Sequence, residues 1–318
     1  MNYIKQLSNS IILCFIASVS NCQPFTKAIT IVSQNDSYLF TGQDRYYTGG
    51  LLIKFDKRIK ATNKYIKTTR WELGQLIFTP YSGFAPVQEL HDRPFAGALF
   101  LKKTNTYSFS ARKILSVSAM TGVIGPASYA QQTQIKLHKL LHFYQPAGWE
   151  YQIKNEPGIG IGADYSWLLA SDVKFYISVT HSLNLSNIFS NVGTSIMFRV
   201  GKLAPGFLNT RFFNPVLSTK KVLSECFLFI EMGEKYILYD ATIDGLLFTK
   251  NGSTNFQIVP FIFSVNPGIF YCKNRWAVSY SAIFSTREVK KSVYAAHQFG
   301  SISLIYHFPS YLNHSINK

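Results

Sequence analysis

His138 is the residue of this chain best suited to acid–base chemistry, because imidazole titrates near neutral pH and can take a proton from water or a hydroxyl. Gln131, Gln134 and His138 stand at i, i+3 and i+7, so on a helix they share one stripe and the histidine is flanked by amides. A lone histidine on a helix also serves as a structural hydrogen-bonder. Asn35 and Asp36 set an amide beside a carboxylate ahead of a polar turn, where such a pair binds a hard cation such as Ca2+, orients a base, or only makes the turn. Thr48, expected near the same rim, offers a hydroxyl as hydrogen-bond donor or ligand oxygen. Glu156, in Asn155-Glu156-Pro157-Gly158, fits turn chemistry through its Pro-Gly neighbours. The chain carries no His-Glu-x-x-His, no Gly-x-Ser-x-Gly elbow, no phosphate-binding loop and no dinucleotide fingerprint, which disfavours the common soluble enzyme classes.

The elements that must position these residues differ in period. A helical pattern over about 128–143, with Pro126 before it and Ser128 as the expected N-cap, interrupts sequence that otherwise alternates like strand. Segments of about ten residues with alternating apolar character recur on both sides, from Ala28–Asn35 and Tyr46–Asp56 through Phe256–Val265 to Phe299–Phe308. Twelve such segments predict an even-numbered all-β barrel. Alternation alone does not say whether the apolar face meets lipid or a core, so a sandwich or a lipocalin-type barrel is the soluble alternative. The phrase Asp44-Arg45-Tyr46-Tyr47-Thr48-Gly49 is echoed by Asp92-Arg93-Pro94-Phe95-Ala96-Gly97. Each puts an Asp-Arg pair where a loop meets a strand, and we expect the arginines to tie loops to carboxylates rather than hold an anionic head group.

Residues 1–22 read as a secretory signal peptide, with Lys5 ahead of an apolar core over Ile11–Val19, which leaves 23–318 as a single domain. Charged residues make up 15% and aromatics 15%, yet no run reaches the roughly 18 apolar residues of a membrane-spanning helix. Membrane residence would therefore require a closed barrel. The excess of 32 basic over 16 acidic residues suits an anionic partner such as phosphorylated lipid, and export disfavours nucleic acid. Cys226 and Cys272 permit a disulfide outside the cytoplasm without requiring one.

Taken in order, Asn35-Asp36, Asp44-Arg45-Tyr46-Tyr47-Thr48-Gly49-Gly50, Thr79-Pro80, Asp92-Arg93-Pro94-Phe95-Ala96-Gly97, Gly122-Val123-Ile124-Gly125-Pro126, Gln134, His138, Gly148-Trp149, Gln152, Asn155-Glu156-Pro157-Gly158 and Phe299-Gly300-Ser301 resemble the lipid A deacylase (LpxR) family across nearly the whole mature chain. The resemblance implies a twelve-stranded antiparallel transmembrane β-barrel with a short extracellular helix, in the outer membrane of a Gram-negative bacterium. It implies hydrolysis of the 3′-linked acyloxyacyl ester of lipid A with Ca2+ assistance. His138 matches the catalytic histidine, and Asn35, Asp36 and Thr48 match other active-site positions. Asp36 would hold the cation or orient the histidine, while Asn35 and Thr48 would bind the cation or polarise the carbonyl. The chain departs from the family pattern in having no lysine between Tyr81 and Leu90, and Tyr144 and Pro146 where a glutamate and a tyrosine are expected. A non-catalytic barrel that binds glycolipid and a serine-histidine phospholipase are the alternatives.

Overall fold

The computed structural model describes residues 25–39, 44–172, 174–204, 207, 212–218, 224–250 and 252–308. The expected signal peptide and the polar tail after Phe308 lie outside the described residues. The described residues form twelve strands: β1 (Lys27–Asn35), β2 (Tyr46–Ala61), β3 (Ile66–Thr79), β4 (Ala96–Ser110), β5 (Lys113–Ile124), β6 (Glu156–Ser171), β7 (Phe175–Ser186), β8 (Phe189–Lys202), β9 (Ser224–Asp240), β10 (Phe261–Lys273), β11 (Trp276–Thr286) and β12 (Ala296–Phe308). Each pairs antiparallel with its neighbours in sequence, and β1 closes on β12 from Lys27 opposite Phe308 to Asn35 opposite Gly300. Closure removes every sheet edge, which is what a strand-built protein needs in lipid, where no water satisfies a free backbone group.

The alternation places side chains as the pattern predicts. Along β3, Trp71 and Leu73 face outward and are exposed, while Glu72 and Leu76 line the lumen. Leu51, Ile53 and Phe55 do the same on β2, and Ile302 and Leu304 on β12. Among the charges inside, one group is paired: Arg70 Nε lies 2.8 Å from Asp56, and Glu72 is 3.4 Å from both Lys54 and Lys102. Such pairing matters because an uncompensated charge in a low-dielectric interior costs several kcal/mol, roughly 3–5 when one partner is removed. One segment departs from expectation. Residues 256–260 belong to the loop, and β10 begins at Phe261, directly after Pro260, whose carbonyl accepts from Ile237 N at 2.7 Å but which has no N–H for a ladder. Cys226 is exposed on the outer face and Cys272 buried on the inner one, so the two do not bond to each other.

The barrel ends are unequal. Turns at 62–65, 111–112 and 274–275 are short, whereas the opposite end carries connections 80–95, 125–155, 241–260 and 287–295. Short turns mark the periplasmic side of an outer-membrane barrel and long loops its outer side. The periplasmic end has one long connection, between β8 and β9, and its described residues fold into the lumen. Phe207 and Leu217 pack with Ile66, Ile114, Leu168 and Tyr176. Arg58 ties this strap by donating to Val216 O at 2.9 Å, and Asn214 donates to Thr68 at 2.8 Å. Above it the lumen keeps a cavity of about 480 Å³ lined by residues such as Tyr47, Glu72, Lys102 and Phe299.

Candidate active site

The residues singled out from sequence meet outside the barrel wall, not in its lumen. Asn35, Gly49, Ile77 and Gly97 stand side by side across β1 to β4 in one register row near the outer rim. Alternation along β1 makes Asn35 outward-facing, since Ile31 is exposed and Gln34 lines the lumen. In β2 Tyr47 pairs with Phe78 and Gly49 with Ile77, so Thr48 is an extra, bulged residue. The bulge turns Thr48 and Gly49 together toward the outer face, between the inward Tyr47 and Gly50.

The helix α1 (Ala130–Leu141) lies against this outer face. A Cβ on Gly97 would come within 2.2 Å of both Ala130 Cβ and Ser128 Oγ, so only glycine lets the helix seat there. Ile77, Ala85, Phe95, Ala130 and Trp149 form the small core beneath it, and Gln75 Nε2 donates to Ser128 O at 2.6 Å. Burial of large apolar side chains, worth roughly 1.5–3 kcal/mol each, holds a helix too short to persist alone. Ser128 does not cap it. The chain makes a 3₁₀ turn at Pro126–Ser128, Tyr129 adopts a left-handed conformation at φ 58°, and Ser128 Oγ donates back to Gly125 O at 2.6 Å. Within the helix Ala130, Gln134 and His138 are buried, while Leu137, Leu140 and Leu141 are exposed on its other faces.

Asp44 is the hub on which the site converges. His138 Nε2 is 3.2 Å from Asp44 Oδ2, and Gln134 Nε2 donates to the same carboxylate at 3.2 and 3.1 Å. The hydroxyls of Thr48 and Tyr144 also donate to Asp44. Trp149 Nε1 donates to Gln134 Oε1 at 2.8 Å and so fixes which way that amide points. His138 Nδ1 faces the carbonyl of Tyr144 at 2.8 Å. Asp36, buried in the 3₁₀ turn Asp36–Leu39, accepts from Arg45 N at 2.8 Å and lies 3.4 Å from the Thr48 hydroxyl.

The electrostatics follow from two carboxylates in one place. Burial, then the charge of Asp44, pushes the Asp36 carboxyl up to about 8. Burial works against a charged His138. The Asp44 hydrogen bond, the Tyr144 carbonyl and the charges of Asp44 and Asp36 outweigh it, holding the imidazole above its ordinary value. Among the described residues no set of three or more His, Cys, Asp or Glu side chains converges as a metal site. The Asp36 and Asp44 carboxylates nevertheless meet at the Thr48 hydroxyl, an all-oxygen set of the kind that suits a hard cation. Burial first, and the Asp44 charge second, oppose an ionised Asp36, a penalty that a cation between the two carboxylates would offset.

A family model described as "Outer membrane protein LpxR" matches residues 9–308. This chain belongs to the LpxR family. Among solved structures, LpxR from Salmonella typhimurium superposes with a TM-score of 0.70 at 17% identity, over 88% of this chain and 100% of that one. An outer-membrane channel from Pseudomonas putida F1 gives 0.47 at 9% identity, over 92% and 100% of the two chains. The β domain of the Bordetella autotransporter BrkA gives 0.44 at 10%, over 89% and 99%. No curated protein matches the sequence. The twelve-stranded barrel and the outer-membrane location are thus those of the LpxR family.

Within this LpxR-family barrel, the structure brings Asp36, Thr48 and His138 together and places Asn35 at their edge. Both polar ends of Asn35 are engaged with backbone: Oδ1 accepts from Ser37 N at 2.8 Å and Nδ2 donates to Thr48 O at 2.9 Å. Asn35 thereby locks the turn carrying Asp36 to the bulge carrying Thr48. Glu156 is elsewhere, binding Asn187, Phe248 N and Thr249 N at 2.9–3.1 Å as a loop clamp. Asp44, Gln134 and Tyr144 are the site residues that reading the sequence did not assign. Asp44 was visible only as half of an Asp-Arg pair. Tyr144 reaches the site because His142, left-handed at φ 57°, ends α1 and turns the chain back.

Proposed function

We propose that this protein is an outer-membrane esterase that hydrolyses a fatty-acyl ester of lipid A, releasing the 3′-linked acyl group, with His138 as general base and Ca2+ as the assisting cation. The observation that carries this reading is the site's position: the Asp44–His138–Asp36 cluster sits on the outside of the wall, at the outer rim, where a lipid of the outer leaflet reaches it sideways and a solute in the lumen does not.

The chemistry follows from the hydrogen bonds. Nδ1–H is donated to the Tyr144 carbonyl, and Nε2, 3.2 Å from Asp44, carries a proton in the imidazolium; once that proton is lost, the neutral ring has its lone pair on Nε2. Nε2 takes a proton from water as the water oxygen bonds to the ester carbonyl carbon, and Asp44, 3.2 Å away, stabilises the imidazolium. The bond from that carbon to the sugar oxygen then breaks, and the imidazolium returns the proton to the leaving alkoxide. Ca2+, held by Asp36, Asp44 and Thr48 oxygens, would supply positive charge to the developing oxyanion. Asn35 keeps Asp36 and Thr48 in place. Among the described residues His138 hydrogen-bonds Tyr144 and Asp44 but no serine, which favours water over a serine nucleophile.

Mass spectrometry of lipid A from Gram-negative cells expressing the protein tests the reading. Wild type should remove one fatty-acyl group, and His138→Ala should slow removal by roughly 10²–10⁴-fold. A folded His138→Ala protein that deacylates at the wild-type rate would sink the assignment. An unchanged spectrum with inserted wild type would favour the non-catalytic glycolipid-binding barrel.

A further inference from the structure

Gly49, beside the bulged Thr48 of β2, is a glycine that neither a positive φ nor a tight neighbour requires. It is absent from the positive-φ positions, which are Gly125, Gly148, Gly201 and Gly245 among the described glycines. A Cβ built on it would meet Asn35 Nδ2 at 3.6 Å, Gln34 O at 3.7 Å and Ile77 Cδ1 at 4.0 Å, all ordinary contacts. Its neighbours in the same outward row differ. Gly97 is pressed by Ala130 and Ser128 at 2.2 Å, and Gly300 by Tyr38 Cβ at 2.6 Å. Those two glycines let α1 and the turn Asp36–Leu39 lie on the wall, at positions four strands and so about 19 Å apart. Gly49 stands between them, adjacent to Thr48 and opposite Asn35. A glycine inside a strand is less favourable than alanine, and a common reason for one beside a bulge is the close approach of a ligand.

Gly49 is buried, so the unfilled space is a small notch in the wall rather than open water. Below it the outer face of β2 continues with exposed Leu51 and Ile53, flanked by Ile31 on β1 and Leu73 on β3. A polar cluster that can act on an ester thus stands beside a methyl-sized notch at the head of an apolar track. We propose that Gly49 is the contact point for the carbonyl end of the bound acyl chain, whose methylenes then run down the outer face of β2 over Leu51 and Ile53. This assignment rests on the esterase reading for its chemistry, but not for the lipid contact itself.

Two measurements separate the two ideas. In detergent micelles containing lipid A, Gly49→Leu should lower the deacylation rate on the order of 10²-fold, the effect of displacing a reacting group by about 1 Å. Leu101→Ala, on the outward face of β4, should leave the rate unchanged. In parallel, lipid A retained by purified His138→Ala protein after detergent washing is quantified by mass spectrometry, with and without Gly49→Leu. The added substitution should abolish retention. Retention that is absent from His138→Ala itself, or unaffected by Gly49→Leu, overturns the notch whatever the rates. Retention lost on Gly49→Leu without any wild-type cleavage removes the esterase reading and leaves Gly49 as a lipid contact. Barrel formation is checked by heat-modifiable gel migration. If Gly49→Leu does not form a barrel, Gly49→Ala is used for both measurements, with a smaller loss of roughly tenfold in rate expected.

Discussion

The two Asp-Arg phrases of this chain share a sequence pattern and do opposite work. Asp92 accepts from Tyr46 Oη at 2.7 Å and from Tyr81 N and Val293 N at 2.8 Å, so its partners are a neighbouring strand and two outer loops. Arg93, fully buried over the ring of Phe78, donates to Glu288 at 3.1 Å and Thr242 at 2.8 Å and closes the outer end of the lumen. Asp44 instead accepts from His138, Gln134, Thr48 and Tyr144, and Arg45 lies 3.8 Å over the ring of Tyr294. A carboxylate whose partners are mainly backbone amides is an anchor. One surrounded by a histidine and hydroxyls, with a second carboxylate close by, is set for chemistry. The partners, not the dipeptide, separate the two.

The sharpest way to break this comparison is to make the same change twice. Asp44→Asn keeps the size and loses the charge that stabilises imidazolium, and should slow lipid A deacylation by roughly 10²–10⁴-fold while the barrel still forms. Asp92→Asn should show its effect in faster proteolysis of the outer loops and not in the rate. Equal rate losses in the two variants would show that Asp44 acts as a loop anchor like Asp92. Time courses read by mass spectrometry, with protease digestion of the same preparations, give both quantities.

The arginines should differ in the opposite sense. Arg93→Ala strands Glu288 beside the buried Thr242 hydroxyl and should destabilise the outer end by about 3 kcal/mol, the low side of the range for a broken buried pair, because the Glu288 side chain keeps 28% exposure. Arg45→Ala loses a cation–π contact at the surface, worth roughly 0.5–1 kcal/mol. Urea unfolding of the refolded barrels in detergent compares them. A larger loss for Arg45→Ala than for Arg93→Ala would reverse the assignment of anchor and site.

The barrel was legible because lipid and lumen alternate with the strand period, which leaves Trp71 and Leu73 out and Glu72 in whatever the remainder of the chain does. His138, Asp36 and Thr48 were legible as residue types in suitable local settings. Asp44 was not, because its partners His138 and Gln134 lie some 90 residues away and meet it only when α1 docks. Nor was the side of the wall on which they meet. That depends on Gly97 accepting Ala130 from outside, a contact with no local signature. The strap residues Asn214 and Leu217 were likewise silent, because a loop that folds into a lumen looks in sequence like one that does not.

A final experiment isolates how Asp44 acts on its neighbour. His138 is held above the ordinary imidazole range by the Asp44 hydrogen bond, the Tyr144 carbonyl and the nearby negative charges, with burial acting against them. A base must be neutral to accept a proton, so deacylation should rise along an acid limb as His138 loses its proton, and in the Ca2+-free protein the ring should titrate above the range of a free imidazole. Asp44→Asn removes both the charge and the charge-assisted hydrogen bond while leaving the burial. The limb must therefore move to lower pH, and NMR titration of the His138 ring should move in the same direction even where residual activity is too low for a profile. Asp92, whose carboxylate is occupied by Tyr46, Tyr81 and Val293, should leave the titration where it is when changed to asparagine. A His138 titration that ignores Asp44→Asn would mean that the 3.2 Å contact is geometry without electrostatic consequence, and the proton stabilisation assigned to Asp44 would have to come from Tyr144 O and Asp36 alone.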